Sequence, residues 1–196
     1  VLVFPQLFFP GTDSTTSVLQ SLATFSIAFF ARPIGSAVFG HYGDKIGRKF
    51  TLVAALLTMG ISTVTIGFLP SYESIGVFAP LLLVVARLIQ GLSVGGEYGA
   101  SATYLSEMAE RNRRGFFSSF QYVTLIAGQL TALCVLLILQ IVLTEQQLHD
   151  WGWRIPFVVS IALLGISIWI RLSMNESPAF KKMKEEGKLS KAPLTE

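Results

Sequence analysis

The stretch "GHYGDKIGRK" (residues 40–49) separates two long apolar runs, and it gathers four charged side chains and three glycines into ten residues. Glycine allows the backbone to reverse sharply, and cationic side chains concentrate in the cytoplasmic loops of membrane proteins. We therefore interpret this stretch as a tight cytoplasmic turn that joins two membrane-spanning helices.

The composition is that of a membrane protein. Hydrophobic residues make up 52% of the 196-residue chain, charged residues make up 14%, and the mean hydropathy is +0.59. The formal net charge of +3 comes from short basic clusters beside apolar runs, without a recognisable nucleic-acid-binding module. These clusters indicate membrane topology and argue against a nucleic-acid partner.

Few residues are suited to catalysis or metal binding. The single cysteine, Cys134, has no second thiol to pair with, which excludes a disulfide framework and a cysteine-rich zinc site. The two histidines, His41 and His149, fall on opposite sides of the membrane in the predicted topology. The sequence therefore predicts no enzyme, no catalytic residue and no metal site.

Five apolar runs are long enough, or nearly long enough, to cross the hydrocarbon layer, which takes about 20 residues of helix. The short run at residues 1–9 does not qualify, and we interpret it as the end of a preceding span. The predicted spans are residues 18–39, 51–69, 76–106, 115–144 and 155–170.

The distribution of lysine and arginine predicts the orientation. Twelve of these residues fall in alternate loops and the C-terminal tail, whereas one falls in the loops between them. Because positive loops stay on the cytoplasmic side, loops 40–50 and 109–114 and the tail are predicted to be cytoplasmic in a multi-pass protein of a plasma membrane, typically a bacterial inner membrane.

Three charged residues lie inside predicted spans, where each costs roughly 2.5–3.5 kcal/mol on insertion scales. Arg32 either faces a polar cavity or extends towards the nearer interface. Arg87 lies too deep for that escape. Glu97 is either a structural partner of another helix or a proton carrier.

Small and polar side chains complete the pattern. Gly91, Gly95 and Gly99 recur every four residues, which predicts a helix face that another backbone approaches closely. In the next span, Gln121 and Gln129 with neighbouring polar groups either line a wet path or join helices by hydrogen bonds.

These motifs resemble those of a known superfamily. "GHYGDKIGRK" resembles the loop between helices two and three of the major facilitator superfamily, although Tyr42 replaces the usual aliphatic residue. "RLIQGLSVGGEYG" (residues 87–99) resembles its fourth-helix motif. "SEMAERNRRG" (residues 106–115) and "NESPAF" (residues 175–180) are similar to cytoplasmic elements of sugar porters.

Other stretches resemble one branch of this superfamily. "WGWRIPF" (residues 151–157) is similar to the segment before helix six in metabolite:proton symporters, and "FQYVTLIAGQL" (residues 120–130) is most similar to α-ketoglutarate permeases. The glycine-proline element that many antiporters carry on helix five is absent from residues 115–144, which favours symport.

The resemblance implies an all-α membrane protein of twelve helices in two halves that work by alternating access. Residues 1–174 would be an incomplete N-terminal half, with helices two to six and the end of helix one, and residues 175–196 would begin the cytoplasmic central loop. The partners implied are the lipid bilayer, the missing C-terminal six-helix half, a small organic acid and a proton, with no other cofactor. The acidic residue expected on helix one would precede Val1.

The function that we expect is proton-coupled symport of a dicarboxylate such as α-ketoglutarate. The alternatives are import of shikimate, betaine, proline or a similar solute, and a nonfunctional fragment that acts only as a membrane segment. The predicted substrate-binding residues are Arg32, Tyr98, Gln121, Tyr122 and Gln129, and the predicted proton-coupling residues are Arg87 and Glu97. The predicted cytoplasmic gate consists of Gly40, Asp44, Gly47, Arg48, Glu107, Arg114 and Glu176.

Overall fold

The structure is a computed structural model, and it describes residues 3–10, 13–110 and 112–187. Within these ranges it is helical, without a strand. The helices are α1 (Phe4–Phe8), α2 (Ser14–Ile46), α3 (Arg48–Phe68), α4 (Tyr72–Ile75), α5 (Phe78–Met108), α6 (Arg114–Val142), α7 (Glu145–Asp150), α8 (Ile155–Ser173) and α9 (Pro178–Glu185), with a 3₁₀ turn at Gly152–Arg154 before α8.

Five of these helices (α2, α3, α5, α6 and α8) are long and apolar enough to span a membrane, as predicted. The end of the bundle that carries Gly47, the last turn of α5 and α9 is called here the basic end. The other end, which carries α4 and α7, is called the opposite end. The five spans therefore alternate in direction between these two ends.

The prediction of a tight turn over residues 40–49 is wrong in its extent. Residues 40–46 continue α2 as helix, and Gly47 alone separates α2 from α3. Its φ of 132° is open to glycine and strained for other residues. These residues are helical despite the preference of glycine for turns. Gly43 packs against Thr51 of α3, and Asp44 pairs with Arg48 one turn later.

The glycine stripe of α5 lies against the backbone of α2, as the four-residue spacing predicted. A Cβ at Gly91 would overlap the Ala28 carbonyl, and a Cβ at Gly95 would overlap the Arg32 carbonyl. Gly99 packs less tightly, since the nearest atom to its Cβ position is the Ser36 hydroxyl at 3.4 Å. Helices α2 and α5 thus form the most closely packed pair.

An aromatic cluster fixes the opposite end. The ring of Phe4 stacks on Phe25 at a centroid distance of 5.9 Å and meets Trp153 edge-on at 5.8 Å. Trp153 also meets Phe157 of α8 at 6.0 Å. Trp153 is therefore buried in the core, where its ring is enclosed by α1 and α8. Trp151 and Trp169 are exposed.

Helix α6 contributes little to the core. Leu139 is its one buried residue, and most of its other side chains are exposed, including Cys134. Helix α8 packs mainly on α3, where Leu164 lies against Gly60. The apolar outer faces of α6 and α8 are consistent with a membrane environment or with another helical layer.

The part of the tail that the structure describes is folded. The Ser177 hydroxyl accepts a hydrogen bond from the Phe180 amide and caps α9. Phe180 is buried and lies next to Gly47. Helix α9 is therefore docked against the connection between α2 and α3, while residues 188–196 lie outside the described part of the chain.

Candidate functional site

Three of the five predicted substrate-binding residues form one polar cluster between α5 and α6. The hydroxyls of Tyr98 and Tyr122 are 3.3 Å apart. The Gln121 amide donates to the Tyr98 carbonyl at 3.1 Å and to the Ser101 hydroxyl at 3.3 Å. These bonds join helices, which was one of the two alternatives that the sequence left open, but Tyr98 and Tyr122 also remain 46% and 61% exposed.

Arg32 lies on α2 at the level of this cluster. Its backbone contacts Gly95, and Tyr98 follows Gly95 by about one helical turn on α5. The Arg32 side chain is exposed, and its guanidinium carbon lies 4.2 Å above the centroid of the Phe29 ring. No carboxylate of the described residues pairs with it, so its hydrogen-bond donors are open to an anion.

Gln129 is set apart from the others. It is exposed on α6 eight residues after Gln121, which corresponds to about 12 Å along the helix. The described residues offer it no hydrogen-bond partner. The structure therefore brings Tyr98, Gln121 and Tyr122 together, places Arg32 of α2 at about their level, and leaves Gln129 at another level of α6.

Arg87 of α5 lies next to the aromatic cluster of the opposite end. Its guanidinium carbon is 4.1 Å from the centroid of Phe25 and 6.0 Å from that of Phe4. Its Nη1 donates to Gln90 at 2.8 Å, and Gln90 donates in turn to Thr63 of α3 at 2.9 Å. The residues around Arg87 thus combine a cation–π contact with a hydrogen-bonded relay, which the sequence did not predict.

Glu97 does not share a site with Arg87. The two residues are ten positions apart on α5, or about 15 Å along its axis. Glu97 instead forms an ion pair with Arg171 near the end of α8, and Arg171 also donates to the Leu52 carbonyl of α3. Of the two roles left open for Glu97, these contacts match the structural one, and its role as a proton carrier stays a prediction.

The predicted gate is partly assembled at the basic end. Arg48 pairs with Asp44 through Nη1 and lies 3.5 Å from the Glu107 carboxylate through Nη2. Asp44 lies on α2, Arg48 on α3 and Glu107 on α5. The guanidinium of Arg48 therefore links three helices. The side chains of Arg48 and Glu107 are 13% and 16% exposed, which reduces solvent screening of their interaction, whereas that of Asp44 is 42% exposed.

Glu176 contacts this region through backbone amides at the start of α3 and not through the side chain of Arg48. Its carboxylate accepts the backbone N–H of Arg48 at 3.0 Å and that of Lys49 at 3.1 Å. These are unsatisfied donors of the first turn of α3, where the helix dipole also favours an anion. Lys49 in turn donates to the Leu172 carbonyl at 2.6 Å, which ties the end of α8 to the start of α3.

Two predicted gate residues make no such contacts. Arg114 is exposed at the start of α6, without a hydrogen bond or ion pair to any residue that the structure describes. The Cβ position of Gly40 faces open space. Gly47, by contrast, is required both by its positive φ and by the Glu176 carboxylate that occupies its Cβ position.

Two features bear on other chemistries. "GLSVG" (residues 91–95) matches the Gly-x-Ser-x-Gly pattern of hydrolases, but Ser93 lies in the middle of α5, is fully buried and donates to the Ile89 carbonyl. It does not lie on the exposed turn that a nucleophile requires. No group of three or more His, Cys, Asp or Glu side chains in the described ranges is placed to hold a metal ion.

The sequence matches known transporters along its length. The family described as "Sugar (and other) transporter" matches residues 5–196. The chain is 53% identical over 194 residues to the inner membrane metabolite transport protein YhjE of Escherichia coli, covering 99% of this chain and 44% of that protein. It is 47% identical over 190 residues to the alpha-ketoglutarate permease of E. coli, covering 96% and 44%.

A third relative is the shikimate transporter of E. coli, with 42% identity over 181 residues, which covers 92% of this chain and 41% of that protein. The chain thus spans less than half the length of the curated relatives named here. These relatives are transporters rather than enzymes, and with the five apolar spans they support a multi-pass inner-membrane protein.

The fold agrees with solved structures. The partially occluded, inward-open form of the xylose transporter XylE from E. coli superposes with a TM-score of 0.79 at 23% sequence identity, covering 96% of this chain and 48% of that one. At this identity the likeness concerns the fold alone. Together with the family match, it confirms the predicted helical bundle, and the chain therefore belongs to the sugar (and other) transporter family of the major facilitator superfamily.

Proposed function

We propose that this chain forms the N-terminal half of a proton-coupled importer of a dicarboxylate such as α-ketoglutarate, which works by alternating access together with a second six-helix half. The observation that carries the proposal is an exposed face of α2, α5 and α6, where the Arg32 guanidinium is unpaired at about the level of the Tyr98–Tyr122 contact. A cationic side chain in an apolar span that has no carboxylate partner within the chain needs an anion or water as its partner.

The chemistry of this face suits a carboxylate. The guanidinium of Arg32 presents a planar fork that binds a carboxylate through two hydrogen bonds, which a lysine ammonium does not reproduce. The hydroxyls of Tyr98 and Tyr122 and the amide of Gln129 are further donors on the same face. A second cationic group for the other carboxylate would come from the opposite half or from Arg87.

Proton coupling rests on Arg87. A buried arginine is always charged, so a nearby carboxylate that binds and releases a proton changes the charge balance around it. The acidic residue that the family resemblance implies on helix one would have this role. Glu97, already paired with Arg171, has the weaker claim to this role.

The basic end supplies the gate. Asp44, Arg48 and Glu107 hold the ends of three helices together in one conformation, and Glu176 fastens α8 to the start of α3. Rocking of the two halves would break or form such contacts. We place this end in the cytoplasm because it carries the basic loops and tail.

The proposal is tested with a chimeric permease, in which residues 1–196 replace the matching segment of the E. coli alpha-ketoglutarate permease. Uptake of labelled α-ketoglutarate into proteoliposomes is measured with and without an inward proton gradient, and unlabelled succinate, shikimate, betaine and proline are added as competitors. The unaltered permease is the control for reconstitution.

We expect gradient-driven uptake that other dicarboxylates inhibit and zwitterions do not. A chimera that folds and inserts but is inhibited by shikimate or betaine instead would favour the alternative substrates. Complete inactivity of a chimera that folds and inserts would favour a membrane segment without transport function. The relatives named shikimate transporter and proline/betaine transporter keep these alternatives open.

A further inference from the structure

A one-way relay of hydrogen bonds runs from α5 to α3 next to the embedded arginine. Arg87 Nη1 donates to Gln90 Oε1 at 2.8 Å, and Gln90 Nε2 donates to Thr63 Oγ1 at 2.9 Å. The Thr63 hydroxyl donates to the Met59 carbonyl at 2.8 Å. The relay therefore ends on a backbone oxygen of α3, which cannot rotate away.

The direction of the relay follows from the donors and acceptors present. Because the hydroxyl proton of Thr63 is used on Met59, Thr63 has only lone pairs left to offer Gln90. The amide nitrogen of Gln90 must then face Thr63, and its carbonyl oxygen must face Arg87, since a guanidinium only donates. A flipped amide would place its NH2 group against the Arg87 donor and its oxygen against the lone pairs of Thr63, and both hydrogen bonds would be lost.

We propose that Gln90 and Thr63 are positioning residues for Arg87, which fix the plane of its guanidinium and select the edge that is free to meet a carboxylate. The inference rests on the proposed transport function and deepens it. Phe25 supports one face of the guanidinium at 4.1 Å, while Gln90 occupies Nη1. These two contacts together determine both its tilt and its rotation.

The free edge consists of Nε and Nη2, whose N–H groups point the same way. Nε is buried without a hydrogen-bond partner among the described residues, and no described acceptor binds Nη2. A buried donor left unpaired is costly, and two parallel donors match the two oxygens of a carboxylate. A carboxylate that reaches this edge meets a preorganised partner, whether it belongs to the substrate or to a protein side chain.

The test uses the chimeric permease and separates coupling from general damage. Gradient-driven uptake is compared with counterflow exchange, which needs binding and alternation but no net proton movement. We expect Thr63→Val, which keeps the shape of the side chain but removes the acceptor for Gln90, to lower gradient-driven uptake about five- to tenfold, the usual loss for one hydrogen bond in a charged network. Counterflow should keep the parent's rate if a protein side chain supplies the carboxylate, and should fall with uptake if the substrate supplies it.

Matched variants bracket this result. Thr63→Ser keeps the hydroxyl and should restore most of the uptake. Thr65→Val removes an equivalent hydroxyl on the same helix, which donates to Ile61 and not to the relay, and should behave as the parent. Gln90→Leu should resemble Thr63→Val, because it removes both bonds of the amide.

Other outcomes overturn the inference. No loss of uptake in Thr63→Val, or equal losses of uptake and counterflow in a chimera whose Arg87 signals do not respond to α-ketoglutarate, would mean that the relay only packs α3 against α5. ¹⁵N side-chain spectra of arginine in the chimera, assigned with Arg87→Lys, give a second readout that does not depend on proton coupling. The two Nη signals of Arg87 should be resolved in the parent and should merge in Thr63→Val, and identical spectra in both would refute the positioning role.

The two proposals fail in different ways. If the parent chimera shows no gradient-driven uptake, the proposed proton coupling is refuted, and the spectra alone then decide whether Gln90 and Thr63 orient Arg87. If the parent is coupled and Thr63→Val is equally coupled, the transport proposal stands and the relay is refuted. The source of the carboxylate is decided by adding α-ketoglutarate, which shifts the Arg87 signals only if the substrate itself binds this edge.

Discussion

Glu97 of α5 and Arg171 of α8 form an ion pair that bridges two membrane spans, 74 residues apart in the sequence. The same guanidinium donates to the Leu52 carbonyl, so that one side chain holds three helices. The Arg171 and Glu97 side chains are 18% and 24% exposed. In this setting the removal of one partner leaves the other charge poorly solvated.

Glu97→Gln is therefore expected to lower the free energy of unfolding by about 1–3 kcal/mol. The measurement is thermal and denaturant unfolding of the purified chimeric permease in detergent, and the exchanged pair Glu97→Arg with Arg171→Glu should recover part of the loss. Lys182→Gln removes an exposed pair with Glu186 and should have little effect. Full stability of Glu97→Gln together with loss of gradient-driven uptake would instead identify Glu97 as a proton carrier.

Glu176 is expected to stabilise the start of α3. Glu176→Ala removes the acceptor of the Arg48 and Lys49 amides and should destabilise the chimera by about 1–2 kcal/mol, as loss of a helix cap does. Glu176→Gln keeps one acceptor oxygen and should cost less. Glu185→Ala, on the exposed side of α9, is the control, and an equal loss there would argue against a capping role.

Asp44 is expected to control the rate of transport rather than binding. Asp44→Asn weakens the ion pair with Arg48, and this pair biases the conformational equilibrium. We expect the maximal uptake rate to fall about fivefold, equivalent to about 1 kcal/mol. The KM should change little. Initial uptake rates over a range of α-ketoglutarate concentrations separate the two parameters, with Lys45→Gln as the neighbouring control. A raised KM at an unchanged maximal rate would contradict the gating role.

Arg32 is expected to set the affinity for a dicarboxylate. Arg32→Lys keeps the charge but loses the two-point contact, and we expect KM for α-ketoglutarate to rise about tenfold. Arg113→Lys makes the same change at an exposed position of the basic end and should leave KM unaltered. An unchanged KM in Arg32→Lys would remove this residue from the binding site.

The packing of α2 on α5 predicts an order among three glycine variants. Gly95→Ala places a methyl group on the Arg32 carbonyl and should destabilise the chimera by about 1–3 kcal/mol. Gly99→Ala, which meets only the Ser36 hydroxyl at 3.4 Å, should cost less, and Gly128→Ala on α6 meets no atom within 4 Å and should be neutral or stabilising. Equal effects at all three positions would contradict the close approach of these helices.

The spans and the glycine stripe were predictable because each depends on a local pattern. An apolar run of helical length needs no knowledge of its neighbours, and a four-residue glycine repeat defines a face by geometry alone. The helical state of residues 40–46 was not predictable in this way, since the contacts of Gly43 with Thr51 and the Asp44–Arg48 pair outweigh glycine's preference for turns.

The site was predictable in its residue types and less so in its partners. Arg87 and Glu97 stood out because charge is costly inside a span, but their partners lie on other helices and carry no local signal. Gln90 and Arg171 are ordinary residues in the sequence, and only the packing of α3, α5 and α8 gives them roles. Arg171 also looked like one more basic residue of the tail, which hid its pairing with Glu97.

Helix α6 meets α5 through the Tyr98–Tyr122 contact and the bonds of Gln121, and it buries only Leu139. Three hydrogen bonds near one level of the helix restrain its position there but leave its tilt free. A continuous apolar contact along its length would restrain the tilt as well. A small tilt of α6 would therefore cost this bundle little apolar packing, and it would change the distance between the Tyr98 and Tyr122 hydroxyls.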